Sequence, residues 1–522
     1  MKIDKISFSQ TGSFASIFLD YINNKDSLRA FYHQRPDLKG FKKQLADKQL
    51  SQPLRETLVQ VLQRQYEGFE TTESLSQNIV QLADSKTFTV TTGHQLNIFT
   101  GPLYFIYKIV TTINTCQVLK EKFPDYHFVP VYWMASEDHD FEEISHFNLF
   151  GKEYSWQTDQ QGAVGYFKTD SITSVLEEMP EQVPIFEKAY REQPTLAKAV
   201  RSYVNDLFGK YGLVVLDADE TELKAAFRPV MKDDLSSHTA KQLTEACTEK
   251  LEALGYKSQV YPRDINFFYL DDQTRERIEK QEEGYQVLNT DYTFGGPEVV
   301  DEIEAHPEKF SPNVILRPLY QEMILPNLGY VGGPSELAYW LQLKPIFDHY
   351  QVAFPILLPR NFGLVINKTN AKKLDKLPIA VEDLFLETQS LIKKFVEDNA
   401  ETSISLAEEE EYLSKVFETV QAKAAQVDKS LEGFIGKQEN NALKSLQNIE
   451  KRLKKSEERN QETAVNQLEG LKDKLFPDGK LQERKENFLN FYINNPNFIQ
   501  DLVDRLEPLD FRFNIINEAD QH

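Results

Sequence analysis

Cysteine is scarce: Cys116 and Cys247 are the two thiols in 522 residues. That excludes a disulfide framework and a zinc site built from thiolates. Neither thiol has a base beside it in sequence, so both read as inert core residues. Long apolar runs are missing as well. No stretch approaches the roughly 18 apolar residues of a membrane span, and the opening MKIDKISFSQTG lacks the apolar core of a signal peptide. The expectation is a soluble, cytoplasmic protein with no membrane partner. Basic charge is short too, with 59 Lys+Arg against 81 Asp+Glu and a formal charge of −22. A general nucleic-acid binder needs the opposite balance, so no such partner is expected, whereas a local basic pocket for a small anion remains compatible. Proline is absent from 379–476 although the chain holds 23, which predicts long uninterrupted helices there.

What is present organises the rest. The length suggests about three units of roughly 150 residues each, and 40% hydrophobic with 12% aromatic residues is ample for a large core. Residues 1–85 show helical spacing of apolar positions (Phe18, Leu19, Ile22; Leu58, Val61, Leu62) and read as a helical segment packing on the core. From 86 to 370 short β-branched or apolar runs alternate with helical segments: FTVTTG (88–93), FVPVYWM (128–134), GLVVLDADE (212–220), LGYVGGPSE (328–336) and FPILLPRN (354–361). This alternation predicts an α/β fold with a mostly parallel sheet and helices on both faces, the first crossover helix opening at Pro102. Two stretches interrupt it, at about 150–205 and 250–315. Both are expected to be structured insertions, the first beginning with a hairpin over KEYSWQTDQQGAVGYFKTD. Within 371–475, Leu413, Val416, Val420, Val427, Leu431 and Phe434 follow a heptad spacing. They predict an antiparallel coiled coil that reverses near Gly433, Gly436 and Asn440-Asn441. Residues 476–522 then return to the core.

In open α/β sheets ligands bind at the carboxyl ends of the strands, and polar residues gather there. The loop GHQLNIFTGPLY (93–104) offers His94, Gln95, Asn97 and Thr100 as donors and Gly101 as a point of close backbone approach before a helix start. The loop SEDHD (136–140) places Glu137, Asp138, His139 and Asp140 directly after a buried strand. That set suits a general base with an orienting carboxylate, and equally a divalent-metal site. In GYVGGPSELAYW (329–340), Gly332, Gly333 and Ser335 form a second glycine-bearing helix start. Arg360 ends the last strand, where a guanidinium can fork onto a carboxylate or phosphate.

Taken together, GHQ…FTGPLY…K (93–108), VPVYWMASEDHDFEE (129–143), LRPLYQEMILPNLGYVGGPSELAYWLQLK (316–344), PRN (359–361) and LFPDG…QER (475–484) resemble the cysteine-adding enzymes of bacillithiol biosynthesis, the cysteine ligase family. The resemblance spans almost the whole chain. It implies a Rossmann-like core with connective insertions and a coiled coil able to pair subunits as a homodimer. It also implies the last step of the pathway: joining cysteine, through its carboxylate, to the amine of glucosaminyl malate. If ATP is the activator, its phosphates belong at the glycine-bearing helix starts of Gly101 and Gly333, with His94 and Thr100 at the transferring group. His139, oriented by Glu137 or Asp140, is then the expected base, and Arg360 or Arg317 the malate clamp. No metal is expected on this reading. Two other classes fit the same residues: a catalytically silent metabolite-binding scaffold with a coiled coil for assembly, and a metal-dependent hydrolase built on Glu137–Asp140.

Overall fold

The computed structural model describes residues 1–400 and 404–518. Its centre is a five-stranded sheet of β1 (Thr87–His94), β2 (His127–Met134), β3 (Val214–Asp217), β4 (Asn327–Gly332) and β5 (Ile356–Pro359), in the order β5-β4-β1-β2-β3. All four pairings are parallel. The continuous apolar runs suit strands covered on both faces. Three helices matter for the site: α1 (Tyr104–Lys122), α2 (Arg317–Ile324) and α3 (Pro334–His349). The first is buried along most of its length. Its interior hydroxyls, on Thr111, Thr112 and Thr115, donate to the carbonyls four residues back. It begins at Tyr104 rather than at Pro102, because the Ile98–Gly101 turn still governs that stretch.

From β1 the chain steps to β2 and β3 on one side, and later to β4 and β5 on the other. The order therefore reverses between β1 and β4, where the loops diverge and leave a crevice at the strand ends. A second, three-stranded sheet unites the two ends of the chain. Lys2–Ile6 runs antiparallel to Phe513–Asn517, which runs parallel to Gly363–Ile366. The opening segment thus starts with a strand that helical spacing alone could not disclose. KIDKI is mostly solvent-facing, and its partner lies at the other end of the chain.

Both interruptions are structured. The first hairpin pairs His146–Leu149 with Lys152–Ser155, earlier than the expected KEYS-to-FKTD pairing. Its turn is Phe150-Gly151, both at positive φ (52° and 79°), and a phenylalanine conceals that turn from residue preferences. The second interruption is a five-stranded antiparallel sheet that includes Phe267–Leu270 and Arg275–Gln281, with the helix Gly296–Ala305 coming before its last strand, Phe310–Pro312.

Beyond the core, α4 (Ala407–Val427) packs against α5 (Glu432–Asn460), which leads into α6 (Glu462–Leu475). The reversal falls at Asp428–Leu431, where the Asp428 carboxylate accepts from the Ser430 amide. It is not at Gly433–Asn441, as the glycine and asparagine residues suggested; α5 runs through them. The heptad stripe is also not enclosed. Val416, Val427 and Phe434 are 57, 83 and 62% exposed.

Candidate functional site

A cleft of about 890 Å³ opens where β1 and β4 part. Its floor is Gly93, His94 and Tyr330, one wall is the 135–139 loop, and another is the start of α3 at Gly333–Glu336. The antiparallel insertion covers it with Phe268, Arg275 and Arg277, and Arg484 reaches in from beyond the helical hairpin. Four lining arginines, Arg263, Arg277, Arg317 and Arg484, have no carboxylate partner among the described residues. In a chain of net charge −22, that is a concentrated local field for an anion.

The cleft is anchored by Lys108. Its Nζ donates to the Gly93 carbonyl at 2.5 Å and to both Glu336 oxygens at 2.8 and 2.9 Å. Glu336 also accepts from Tyr330 Oη (2.7 Å) and from the Gly333 amide (2.8 Å), closing the helix start. Burial alone would raise the Glu336 pKa; Lys108 and these hydrogen bonds outweigh it and hold the carboxyl down at about 2. Glu336 is therefore a fixed anion rather than a proton carrier, and it ties β1 to β4. The spacing signalled this role, since Glu336 stands three residues after the glycine cap.

His94, the last residue of β1, packs edge-on against Phe105 and tilted on Tyr104. Its Nδ1 lies 3.0 Å from the Gln95 carbonyl. A carbonyl only accepts, so Nδ1 carries the proton and Nε2 keeps its lone pair. Burial, then Lys108, lowers the imidazole pKa to about 4, and the ring is neutral at ordinary pH.

The 137–140 side chains diverge. Glu137 and Asp219 flank the fully buried Lys224 at 2.5 and 2.6 Å. Asp138 accepts from Gln95 Nε2 (2.8 Å) and from the His139 amide (2.8 Å). His139 itself faces Arg275, whose Nη1 is 2.6 Å from Nδ1. Neither Glu137 nor Asp140, the expected orienting carboxylates, holds the ring. Among the described residues no group of three or more His, Cys, Asp or Glu is placed to hold a metal ion. Beside this loop Ser136 donates to Asp217 at 2.5 Å, and burial with Asp219 nearby pushes the Asp217 carboxyl up to about 7.

The other expected residues divide sharply. Gly333 and Ser335 line the cleft, whereas Gly332 is buried in β4 with its carbonyl bonded to the Arg360 amide (3.0 Å). Asn97, Thr100 and Gly101 are buried outside the cleft. The Gly101 amide is spent on the Ile98 carbonyl, and Asn487 Nδ2 donates to the carbonyls of both Phe99 and Gly101 at 2.7 Å. The expected phosphate cradle at Gly101 is thus a pinned turn. With φ at +60° and Asn97 Cβ only 2.6 Å from where a Cβ would stand, Gly101→Val should destabilise the fold by about 2–4 kcal/mol. Ligand affinity per folded molecule should be unchanged, as read by thermal melting alongside calorimetric titration. A stable variant with weakened ligand binding would restore the cradle.

Arg360 is committed as well. Its Nη2 meets Glu483 Oε1 at 2.6 Å, both side chains being at most 2% exposed, and its Nη1 donates to the Asn361 carbonyl. Adjacent Gln482 accepts from the Val365 amide and donates to its carbonyl, standing in for a neighbouring strand.

A parallel sheet of this order, with its cleft at the reversal point and a helical hairpin attached, defines a Rossmann-like α/β protein with a coiled-coil appendage. The chain belongs to the bacillithiol biosynthesis BshC family. Residues 1–361 match that family's N-terminal Rossmann-like domain and 363–518 its C-terminal coiled-coil domain. A relative from Flavobacterium psychrophilum, named "Putative cysteine ligase BshC", is 44% identical over 99% of this chain and 100% of its own. Relatives of the same name from Cytophaga hutchinsonii (98% of each chain) and Bacillus cereus (98% of each) are 42% and 27% identical.

Proposed function

We propose that this cleft joins the carboxylate of cysteine to the amine of glucosaminyl malate, forming an amide in the last step of bacillithiol biosynthesis. Family membership supports a carbon–nitrogen ligase, and the observation that carries the substrate choice is the set of cleft arginines without carboxylate partners. Two carboxylates on a malate unit match such a set, and Arg317 lies deepest, over the Trp133 and Tyr330 rings at 6.0 and 5.8 Å. Arg360, engaged with Glu483, is not free for that task.

Of the two helix starts expected to take nucleotide phosphates, only Gly333–Ser335 opens onto the cleft, near Arg317 and Arg484. The Gly333 amide is already held by the Glu336 carboxylate, so the phosphates of ATP would rest on the arginines of the same cleft, Arg317 and Arg484. The chemistry ATP would supply is activation of the cysteine carboxylate. His94 is the base we assign. Its Nε2 lone pair can take the proton that becomes acidic once the amine nitrogen has bonded to carbon. The divergence of Glu137, Asp138 and His139 weighs against a metal-dependent hydrolase. Incubating purified protein with cysteine, glucosaminyl malate and each nucleotide in turn, with mass spectrometry of the products, tests the reading; no thiol amide with any nucleotide would refute it.

The exposed heptad stripe supports pairing of two copies through the coiled coil. Val420→Asp with Val427→Asp should then abolish the dimer while changing the unfolding free energy of the single chain by no more than about 1 kcal/mol, since both sites are surface positions of that chain. Light scattering after gel filtration reads this directly, and an unchanged mass would remove the stripe from the interface.

A further inference from the structure

The insertion sheet brings two residues to one imidazole. Phe268 and Arg275 come from adjacent antiparallel strands, with Leu270 opposite Arg275 and Phe268 opposite Arg277. The Phe268 ring lies 5.5 Å from the His139 ring, and the Arg275 guanidinium lies 4.1 Å from the same phenyl ring. Arg275 thus rests on Phe268 with its Nη1 at 2.6 Å from His139 Nδ1, its Nε at 3.2 Å from Ser311 Oγ, and Asp138 Oδ1 at 3.6 Å from Nη1. A guanidinium has five N–H donors and no acceptor. A nitrogen that close to it must offer a lone pair, because a proton on Nδ1 would face another proton.

We infer that Arg275 fixes His139 as a hydrogen-bond donor, presenting Nε2–H to the cleft for an oxygen that gains negative charge. Arg275 is on this view a positioning residue that acts through His139. The two histidines of the cleft then hold opposite tautomers set by their second nitrogens: His94 has its proton on Nδ1 and a free lone pair on Nε2, and His139 the reverse. Burial and then Arg275 lower the His139 pKa, against the raising effect of Asp138, Asp140 and Glu276, which is consistent with a neutral ring. Resting on the amide-forming reading above, the oxygen served is the carbonyl oxygen of the nucleotide-activated cysteine acyl group. The amine nitrogen bonds to that carbon, and collapse of the tetrahedral intermediate breaks the carbon–oxygen bond to the activating phosphate, which leaves with that bridging oxygen. A preorganised donor there is a means of stabilising a tetrahedral oxyanion. No bond breaks at His139, and its proton stays on Nε2.

The test is made on the free full-length protein with nitrogen-15-labelled histidine, at about pH 7, by two-bond proton–nitrogen correlation. The His139 signals are assigned by their loss in His139→Asn. The wild type should show Nε2 protonated and Nδ1 bare. Arg275→Lys, which keeps a donor, should retain that tautomer, whereas Arg275→Met should populate both. A wild-type ring protonated on Nδ1, or on both nitrogens, would overturn the inference. So would an Arg275→Met spectrum with the wild-type tautomer, because packing support alone does not select a nitrogen. If Arg275→Met does not fold, the wild-type spectrum and Arg275→Lys still decide. These spectra need no substrate, so they stand or fall separately from the ligase reading. Where turnover is measurable, Arg275→Met should lower kcat by about 10²-fold with little change in KM, the loss typical of one oxyanion donor.

Discussion

Glu483→Gln is expected to cost about 3–5 kcal/mol of folding stability, the range for breaking one partner out of a buried ion pair. Its carboxylate is fully buried, accepting from Arg360 Nη2 at 2.6 Å and from the Gly363 amide at 2.9 Å. The Arg360 guanidinium is packed over Phe362 at 4.0 Å and Tyr104 at 5.1 Å and the residue is 3% exposed, so its charge is left largely out of water when its counter-charge is removed. Glutamine keeps the shape and part of the hydrogen bonding but strands the positive charge. The consequence extends beyond the local contact. Glu483 joins the segment after the helical hairpin to the end of β5, and its neighbours Arg484 and Asn487 reach the cleft and the Phe99–Gly101 turn. Urea unfolding of the variant should show a lowered midpoint. The double variant Glu483→Leu with Arg360→Met should recover much of the loss, because replacing both charges by apolar side chains leaves neither unpaired. A single variant within about 1 kcal/mol of wild type would show that this pair does not hold the return segment.

That arrangement also explains which parts of the molecule were legible in sequence. The five core strands could be read because each is a short apolar or β-branched run closed by glycine or polar residues, a pattern determined locally by burial on two faces. The cleft's location followed, since strand ends are where polar residues collect. Gly333, Ser335, His94, Gln95, Glu137, His139, Arg317 and Arg360 do line it. What could not be read depends on partners distant in the chain. A glycine followed by proline looked like a helix start ready for an anion, yet Gly101 is required by its positive φ, and the donor on its carbonyl is Asn487, 386 residues away. Arg360 looked free because Glu483 lies beyond the whole helical hairpin. The orienting group on His139 is an arginine from an insertion whose strands RERIEKQ and FFYL carry no chemical motif. In the hairpin, Gly433 and Gly436 sit on open helix surface where a Cβ would meet nothing within 4 Å, so neither marks the reversal, which the Asp428 cap sets instead.

His94→Ala should give the largest loss of activity, about 10²–10⁴-fold in kcat with a small change in KM, the usual contribution of a general base. The side chain lines the cleft without bonding substrate-like anions of its own, and the Gln95 carbonyl would lose one donor but retain a contact from Tyr132 Oη at 3.5 Å. The fold should therefore survive. The pH dependence separates this role from a structural one. With its pKa lowered from 6.5 to about 4 by burial and Lys108, wild-type His94 is a competent base above about pH 4, and kcat/KM should fall below that point as the ring protonates. His94→Ala should lack that acid limb while retaining any limb due to substrate ionisation. Stability carries the same signature in the opposite experiment. Between about pH 4 and 6.5 the unfolded chain binds a proton on this residue that the folded chain refuses. Wild-type stability contributed by the neutral ring is thus complete above 6.5 and declines as the pH drops through 4. Removing the imidazole should flatten that part of the stability curve. An alanine variant that keeps the wild-type kcat and acid limb would take His94 out of the chemistry, and the base would have to be sought among the substrate's own groups.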